Sequence, residues 1–251
     1  MKKIIYILSF LFLATFKIAA QDLGFGCLGL VGGFAGYGMQ TYQTQGINER
    51  VDFLNAFHKD SLNSPLKNFG QAAGYRFGIN FFDQKFSGFN LSFKGFYQKF
   101  SEKNKAIIKS PPIEIAKTFE VKITMFGLGV DFGTHITEML NWKIIKAAVI
   151  FSNADFIESE DRPGILTVQD DYKSAKTNIG YSISTGFVVY LIGNYISLEG
   201  SAGYNLFRFE ELKKADGTVL TVNEQSDQPM PAAINNGGLA GTIQLNFNFP
   251  L

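Results

Sequence analysis

The chain of 251 residues contains one cysteine, one tryptophan, two histidines and few charges. The lone Cys27 permits no internal disulfide and no multi-cysteine metal site. Charged residues make up 18%, below the roughly one quarter usual for a soluble domain. Past the first twenty residues, no apolar run approaches the about 20 residues of a membrane-spanning helix. That excludes a helical membrane protein. Neither sign of charge dominates, so a strong attraction to nucleic acid is excluded too.

The one near-continuous apolar run stands at the start. Met1, Lys2 and Lys3 form a basic head, Ile4 to Phe16 are nearly all apolar, and Ile18-Ala19-Ala20 supplies small residues before Gln21. This pattern predicts a cleavable export signal over 1–20 and a mature domain over 21–251. Removing Lys2, Lys3 and Lys17 from 23 basic residues leaves 20 against 22 acidic ones.

What the chain does have is aromatic residues (15%), 26 phenylalanines and 26 glycines, at a mean hydropathy of only +0.05. The balance arises because apolar residues alternate with small and polar ones. In residues 69 to 81, Phe69, Ala73, Tyr75, Phe77, Ile79 and Phe81 fall on one face, and Gly70, Ala72, Gly74, Arg76, Gly78 and Asn80 on the other. A period of two is the signature of a strand with two unlike faces. The pattern recurs and predicts eight strands, roughly 23–38, 68–82, 86–100, 117–134, 141–152, 176–191, 194–211 and 236–251. Within 117–134 the apolar positions switch from odd (Phe119 to Met125) to even (Phe126 to Phe132). Either a β-bulge near Met125 or a strand whose upper half leaves the bilayer would give this.

The connections alternate strictly between short and long. Links around Asp83–Lys85, His135–Leu140 and Gly193-Asn194 are short, whereas 39–67, 101–116, 153–175 and 212–235 are long. Short turns on one side, long loops on the other and an even strand number are the marks of an outer-membrane barrel. The expected fold is therefore all-β: a closed eight-stranded antiparallel up-and-down transmembrane barrel. A lipocalin, which is also an exported eight-stranded barrel, would carry a charged outer surface. Here the non-apolar face is Gly, Ala, Ser, Thr and Asn with scattered charges, which suits a narrow lumen. Phe77, Ile79, Leu91, Phe93, Ile183, Phe187, Leu198, Leu245 and Phe247 are expected to face lipid. Arg76, Lys94, Ser184, Glu199 and Gln244 are expected to face inward.

The C-terminal segment Leu239–Leu251 alternates cleanly and ends Phe247-Asn248-Phe249-Pro250-Leu251. It resembles the terminal signal read by the barrel-assembly machinery, with the last aromatic residue displaced two positions from the end. Architecture and terminal pattern together resemble the small outer-membrane barrels of the OmpA-barrel, OmpX and PorT-like kind in Gram-negative bacteria. The resemblance implies export to the cell outer membrane and contact with its lipid and lipopolysaccharide. No motif assigns an activity.

Enzymes built on such barrels mostly use a histidine with a Ser, Asp or Glu partner. His58 falls in the first long loop without a paired motif, and His135 falls in a short turn on the wrong side. A non-enzymatic barrel without cofactor or metal is expected, in an envelope structural or surface-binding role through its long external loops. A narrow pore and a lipid A-modifying enzyme are the alternatives. A turn near Asp83–Gln84 would set Lys94 opposite Gly74 and near Arg76, so Glu199 is expected to neutralise Arg76 or Lys94 in a lumen charge network. In the loops, Lys103, Lys105 and Lys109 suit lipopolysaccharide phosphates. Asp155, Glu158, Glu160 and Asp161 suit its bound cations.

Overall fold

The computed structural model describes residues 32–86, 88–110, 113–164, 167–223 and 230–249. The expected export signal, Cys27 and the first nine residues of the expected first strand lie outside these residues. In chain order the elements are β1 (Gly32–Thr41), α1 (Gln45–Phe57), β2 (Leu62–Ser64), β3 (Gln71–Phe86), β4 (Phe89–Ser110) and β5 (Ile113–His135). There follow β6 (Leu140–Asp161), β7 (Val168–Ser174), β8 (Asn178–Ile192), β9 (Ile196–Leu206), β10 (Leu212–Lys213) and β11 (Leu239–Asn248).

Eight of the strands close on themselves. β1 pairs with β3, then β4, β5, β6, β8, β9 and β11 follow in antiparallel ladders, and β11 returns to β1 with Ala35 opposite Leu245. Closure leaves none of these eight strands at a free edge, so the ladders pair the backbone of the wall within itself, as hydrocarbon requires. The turns β3–β4, β5–β6 and β8–β9 are short; Gly193 takes a positive φ of 50° in the last, a conformation that suits glycine.

The polarity of the barrel is inverted relative to a soluble one. Ile183, Ile243 and Leu239 point outward at 59, 64 and 66% exposure, whereas Glu199 and Gln244 point inward at 0 and 3%. Tyr37, Phe77, Ile79, Leu128, Phe187, Leu198 and Phe247 continue the outer band. Asn90, Ser92, Lys94, Gln98, Asp131, Ser197 and Asn246 line the interior. The outward and inward faces expected from alternation are the observed ones, except at Phe69, which precedes β3 and is buried in the core instead of sharing the outer face of Tyr75 and Phe77.

The β5 segment shows where this inversion ends. Its pairing with β4 runs without a register shift from Gly133 to Ile113, so there is no bulge near Met125. Odd positions face inward along the strand. Phe119, Val121, Ile123 and Met125 are therefore buried inside an upper barrel, while Phe126, Leu128 and Phe132 are exposed outside a lower one. The switch of apolar phase marks the height at which lipid gives way to water.

Above that height the strands continue. β4 and β5 stay paired as far as Ser110 opposite Ile113. β6 reaches Asp161 and pairs with β7 above its contact with β8. The expected long loops 101–116 and 153–175 are thus largely sheet. Their inward positions, among them Ala106, Ile108, Ala154 and Phe156, are apolar and buried, and this supports ladder extension into water with an ordinary soluble core.

Candidate functional site

The upper barrel is closed by α1, which the sequence reading missed. Its Ile47 and Val51 are fully buried and join Phe69, Phe100, Phe119, Ile123, Met125, Phe156, Leu220 and Ile234 in one core. Apolar and polar residues are equally frequent in the helix and only Gly46, Ile47, Arg50 and Val51 are buried, so its amphipathic signal in the sequence is faint. Tertiary contacts hold it. Arg50 grips Glu158 of β6 through Nε (2.6 Å) and Nη2 (3.0 Å), and its Nη1 donates to the Thr221 carbonyl at 2.8 Å. Asn48 exchanges two hydrogen bonds with the backbone of Phe69, and Asn55 two with Leu66. Glu102 accepts from Tyr42 Oη (2.7 Å) and from the backbone N–H of Gly70 and Gln71 (3.0 and 2.8 Å). Burial, and then the charge of Glu102, push the Tyr42 phenol far above its usual range, so it is a permanent donor.

Beside α1 lies a cleft of about 330 Å³. Phe53, Phe57 and Phe119 form its apolar wall; His58, Lys117, Glu158 and Glu160 its polar one. Partial burial and then the Lys117 charge hold the His58 imidazole below its ordinary pKa against the opposing pull of Glu160. Burial opposes ionisation of Glu160, but hydrogen bonds from Arg162 and Lys117 outweigh it and hold that carboxyl low. Ser159 also lines the cleft, yet among the described residues no hydrogen bond joins His58 to Ser159 or Glu160. His135 lies at the opposite end, where β5 ends.

The two groups of expected loop residues are distributed differently. Lys103, Lys105 and Lys109 are exposed on the outer face of β4. The four acidic residues divide between faces. Glu158 is bound to Arg50 and Glu160 to Lys117 at 3.4 Å, while Asp155 lies on the outer face opposite Lys122 and Lys173. Asp161 accepts from Thr167. Among the described residues no cluster of three acidic, His or Cys side chains could hold a cation. Outside the barrel just above the lipid band, Lys99, Lys122 and Lys173 surround Asp155, whose partial burial raises its carboxyl pKa against their pull. Lys122 also meets Glu120 at 3.3 Å.

Below the plug is the lumen network. Lys94 is paired with Asp131, and Lys146 with Glu199. Lys143 bridges both carboxylates, at 2.8 Å to Asp131 and 3.0 Å to Glu199. Gln244 and Asn246 donate weakly to Glu199 at 3.4 and 3.5 Å. The expected partners are corrected here. The β3–β4 turn lies between Phe86 and Phe89, so Lys94 faces Asn80 and Arg76 faces Gln98. Glu199 serves Lys143 and Lys146. Among the described residues no carboxylate pairs with Arg76, which Glu199 and Asp131 attract only at longer range; it lies 4.0 Å above the Phe96 ring and 5.6 Å from Phe34, and reaches Gln98 Oε1 at 3.5 Å. Asp131, Lys143 and Lys146 were missed. Asp131 was available from the phase of β5, since Val130 and Phe132 face outward. The lysines were masked by a register shift between Lys143 and Lys146, which turns both inward although their spacing is odd.

No family model matches the sequence, and no curated protein matches it either. Solved structures are similar in outline. Neisserial surface protein A is 14% identical, covering 86% of this chain and 97% of its own, with a TM-score of 0.41. Ail of Yersinia pestis, crystallised with sucrose octasulfate, is 8% identical over 88% of this chain and 98% of its own, at 0.38. The outer membrane protease OmpT of Escherichia coli is 10% identical over 88% and 94%, at 0.39. The closed ladder, the apolar exterior and the charged, sealed interior decide the assignment without them. The protein is an outer-membrane β-barrel. Its lumen is polar below and filled above by an apolar core into which α1 is built.

Proposed function

We propose that this barrel is a non-catalytic envelope protein that binds and stabilises the outer leaflet through its external half. The single observation that carries the reading is the placement of Lys99, Lys122 and Lys173 around Asp155, directly above the aromatic and aliphatic band. Lys103 and Lys105 add charge higher on the same face of β4. Counted with these two, the five lysines outnumber Asp155, Asp171 and Glu120, and the excess ammonium groups match the phosphates of lipopolysaccharide, which each lysine meets as a point charge. The apolar plug supports a barrel that carries no solute through its lumen. The test is lipopolysaccharide retention. The triple variant Lys99→Ser, Lys122→Ser, Lys173→Ser should purify from outer membranes with several-fold less lipopolysaccharide than the parent protein. Equal retention would overturn the reading, and so would an altered lipid A mass spectrum in a deletion strain, which would indicate an enzyme.

A second reading is favoured by the cleft beside α1, whose aromatic wall and charged rim suit a small surface ligand. Binding there would be insensitive to the three lysine substitutions and lost on filling the cleft, for instance with Val168→Trp, since Val168 also lines it.

A further inference from the structure

Among the described side chains, the charges within the lumen do not balance. Arg76, Lys94, Lys143 and Lys146 point inward, against two carboxylates, Asp131 and Glu199. The three lysines share both carboxylates. Arg76 is left with aromatic faces and one long hydrogen bond to Gln98 Oε1 at 3.5 Å. Arg76 Nε and Gln98 Nε2 are both buried and have no hydrogen-bond acceptor among the described residues. Gln98 is 2% exposed. Buried donors without acceptors are rare in folded proteins, and a buried cation with no anion in contact is costlier still. Stacking on Phe96 offsets part of that cost, because the ring face is negative. It leaves the in-plane Nε–H of the guanidinium unanswered.

We propose that the lumen binds a small monovalent inorganic anion between Arg76 and Gln98. The anion accepts from Arg76 Nε and Gln98 Nε2 and reduces the positive excess of the lysine cluster below it. The chemistry selects a compact, spherical acceptor of halide size. The surroundings are the Phe34 and Phe96 rings, and Met125 faces Gln98 across the β4–β5 ladder, so a hydrated or branched oxyanion finds no further donors. Entry is from the periplasmic end, where Asn80, Asn90, Asn141, Asn246 and Lys143 line a small polar vestibule of about 40 Å³. Carboxamides there carry no charge that would repel an anion.

The test uses the whole protein refolded in detergent. Urea midpoints are measured in potassium chloride and in potassium gluconate at matched ionic strength, for the parent protein and for Gln98→Glu, which supplies an internal carboxylate to Arg76. The parent midpoint should rise with chloride and saturate. Gln98→Glu should start higher and show no chloride response. Should Gln98→Glu not fold, Arg76→Gln reads the same loss of response. Crystals grown in bromide should show one anomalous peak beside Arg76. Equal responses to the two salts in the parent protein would overturn the proposal, as would an identical chloride response in the variant. A bromide peak among Lys94, Lys143 and Lys146 instead of beside Arg76 would overturn the placement.

Discussion

The Glu199 carboxylate on β9 meets the Lys143 ammonium on β6 at 3.0 Å, across the intervening strand β8. With Lys143 also bound to Asp131, three strands are tied together inside the barrel. Removing one member of a buried ion pair leaves the other charge uncompensated. Glu199→Ala is expected to lower stability by about 3 kcal/mol, read as a drop in urea midpoint in detergent. Lys146→Met should cost less, since Glu199 keeps Lys143. Unchanged unfolding of Glu199→Ala would show that the network contributes nothing.

Arg50 is the corresponding tie in the upper half. Its two bonds to Glu158 and one to the Thr221 carbonyl hold α1 against β6. Arg50→Ala should speed amide exchange across 45–57 by at least tenfold while β8, β9 and β11 keep their protection. Uniform loss of protection throughout the barrel would instead mean that plug and wall unfold as one unit.

Glu160 offers a pH test outside the membrane. Its folded carboxyl is held below the ordinary value of 4.5 by Arg162 and Lys117. A depressed acid stabilises the fold above its unfolded pKa and loses that contribution as pH falls through the folded one. The stability difference between the parent protein and Glu160→Gln should therefore be full above pH 4.5 and shrink on further acidification. A difference that grew as pH fell would contradict the assignment of Glu160 as an ionised partner.

Much of the fold was legible because the lipid-facing strands obey one rule at every second position. Ile179 to Leu191 of β8 read outward without exception apart from Thr185, which accepts from Trp142 Nε1 at 3.0 Å. The upper half was harder to read because the rule reverses there. In water the apolar residues turn inward, so Phe119 to Met125 resembled a shifted strand and the lysine-rich 101–110 resembled a loop. The lumen partners Lys143 and Lys146 were hidden by one inserted residue, and α1 by its short buried stripe. The inward placement of Glu199 needed only alternation. Its partners needed the register of two other strands.

Glycines inside the barrel set the room available to the Arg76 shelf. A Cβ on Gly127 would lie 2.2 Å from the Phe96 ring, whereas one on Gly200, on the outer face, would meet nothing within 4 Å. Gly127→Ala should destabilise by about 1–3 kcal/mol through overpacking, while Gly200→Ala should stay near neutral. Equal urea midpoints for the two variants would refute this packing of the lumen.

The central claim is that lipid meets the barrel up to the level of Phe126 and water surrounds it above. Single cysteines placed at successive positions from 118 to 132, in a Cys27→Ser background, can be spin-labelled in reconstituted bilayers and their contact with oxygen and with a water-soluble relaxant measured. The account predicts lipid contact at even positions from 126 to 132, water contact at even positions from 118 to 122, and little contact with either at odd positions. Lipid contact at odd positions 119 to 125 would contradict it.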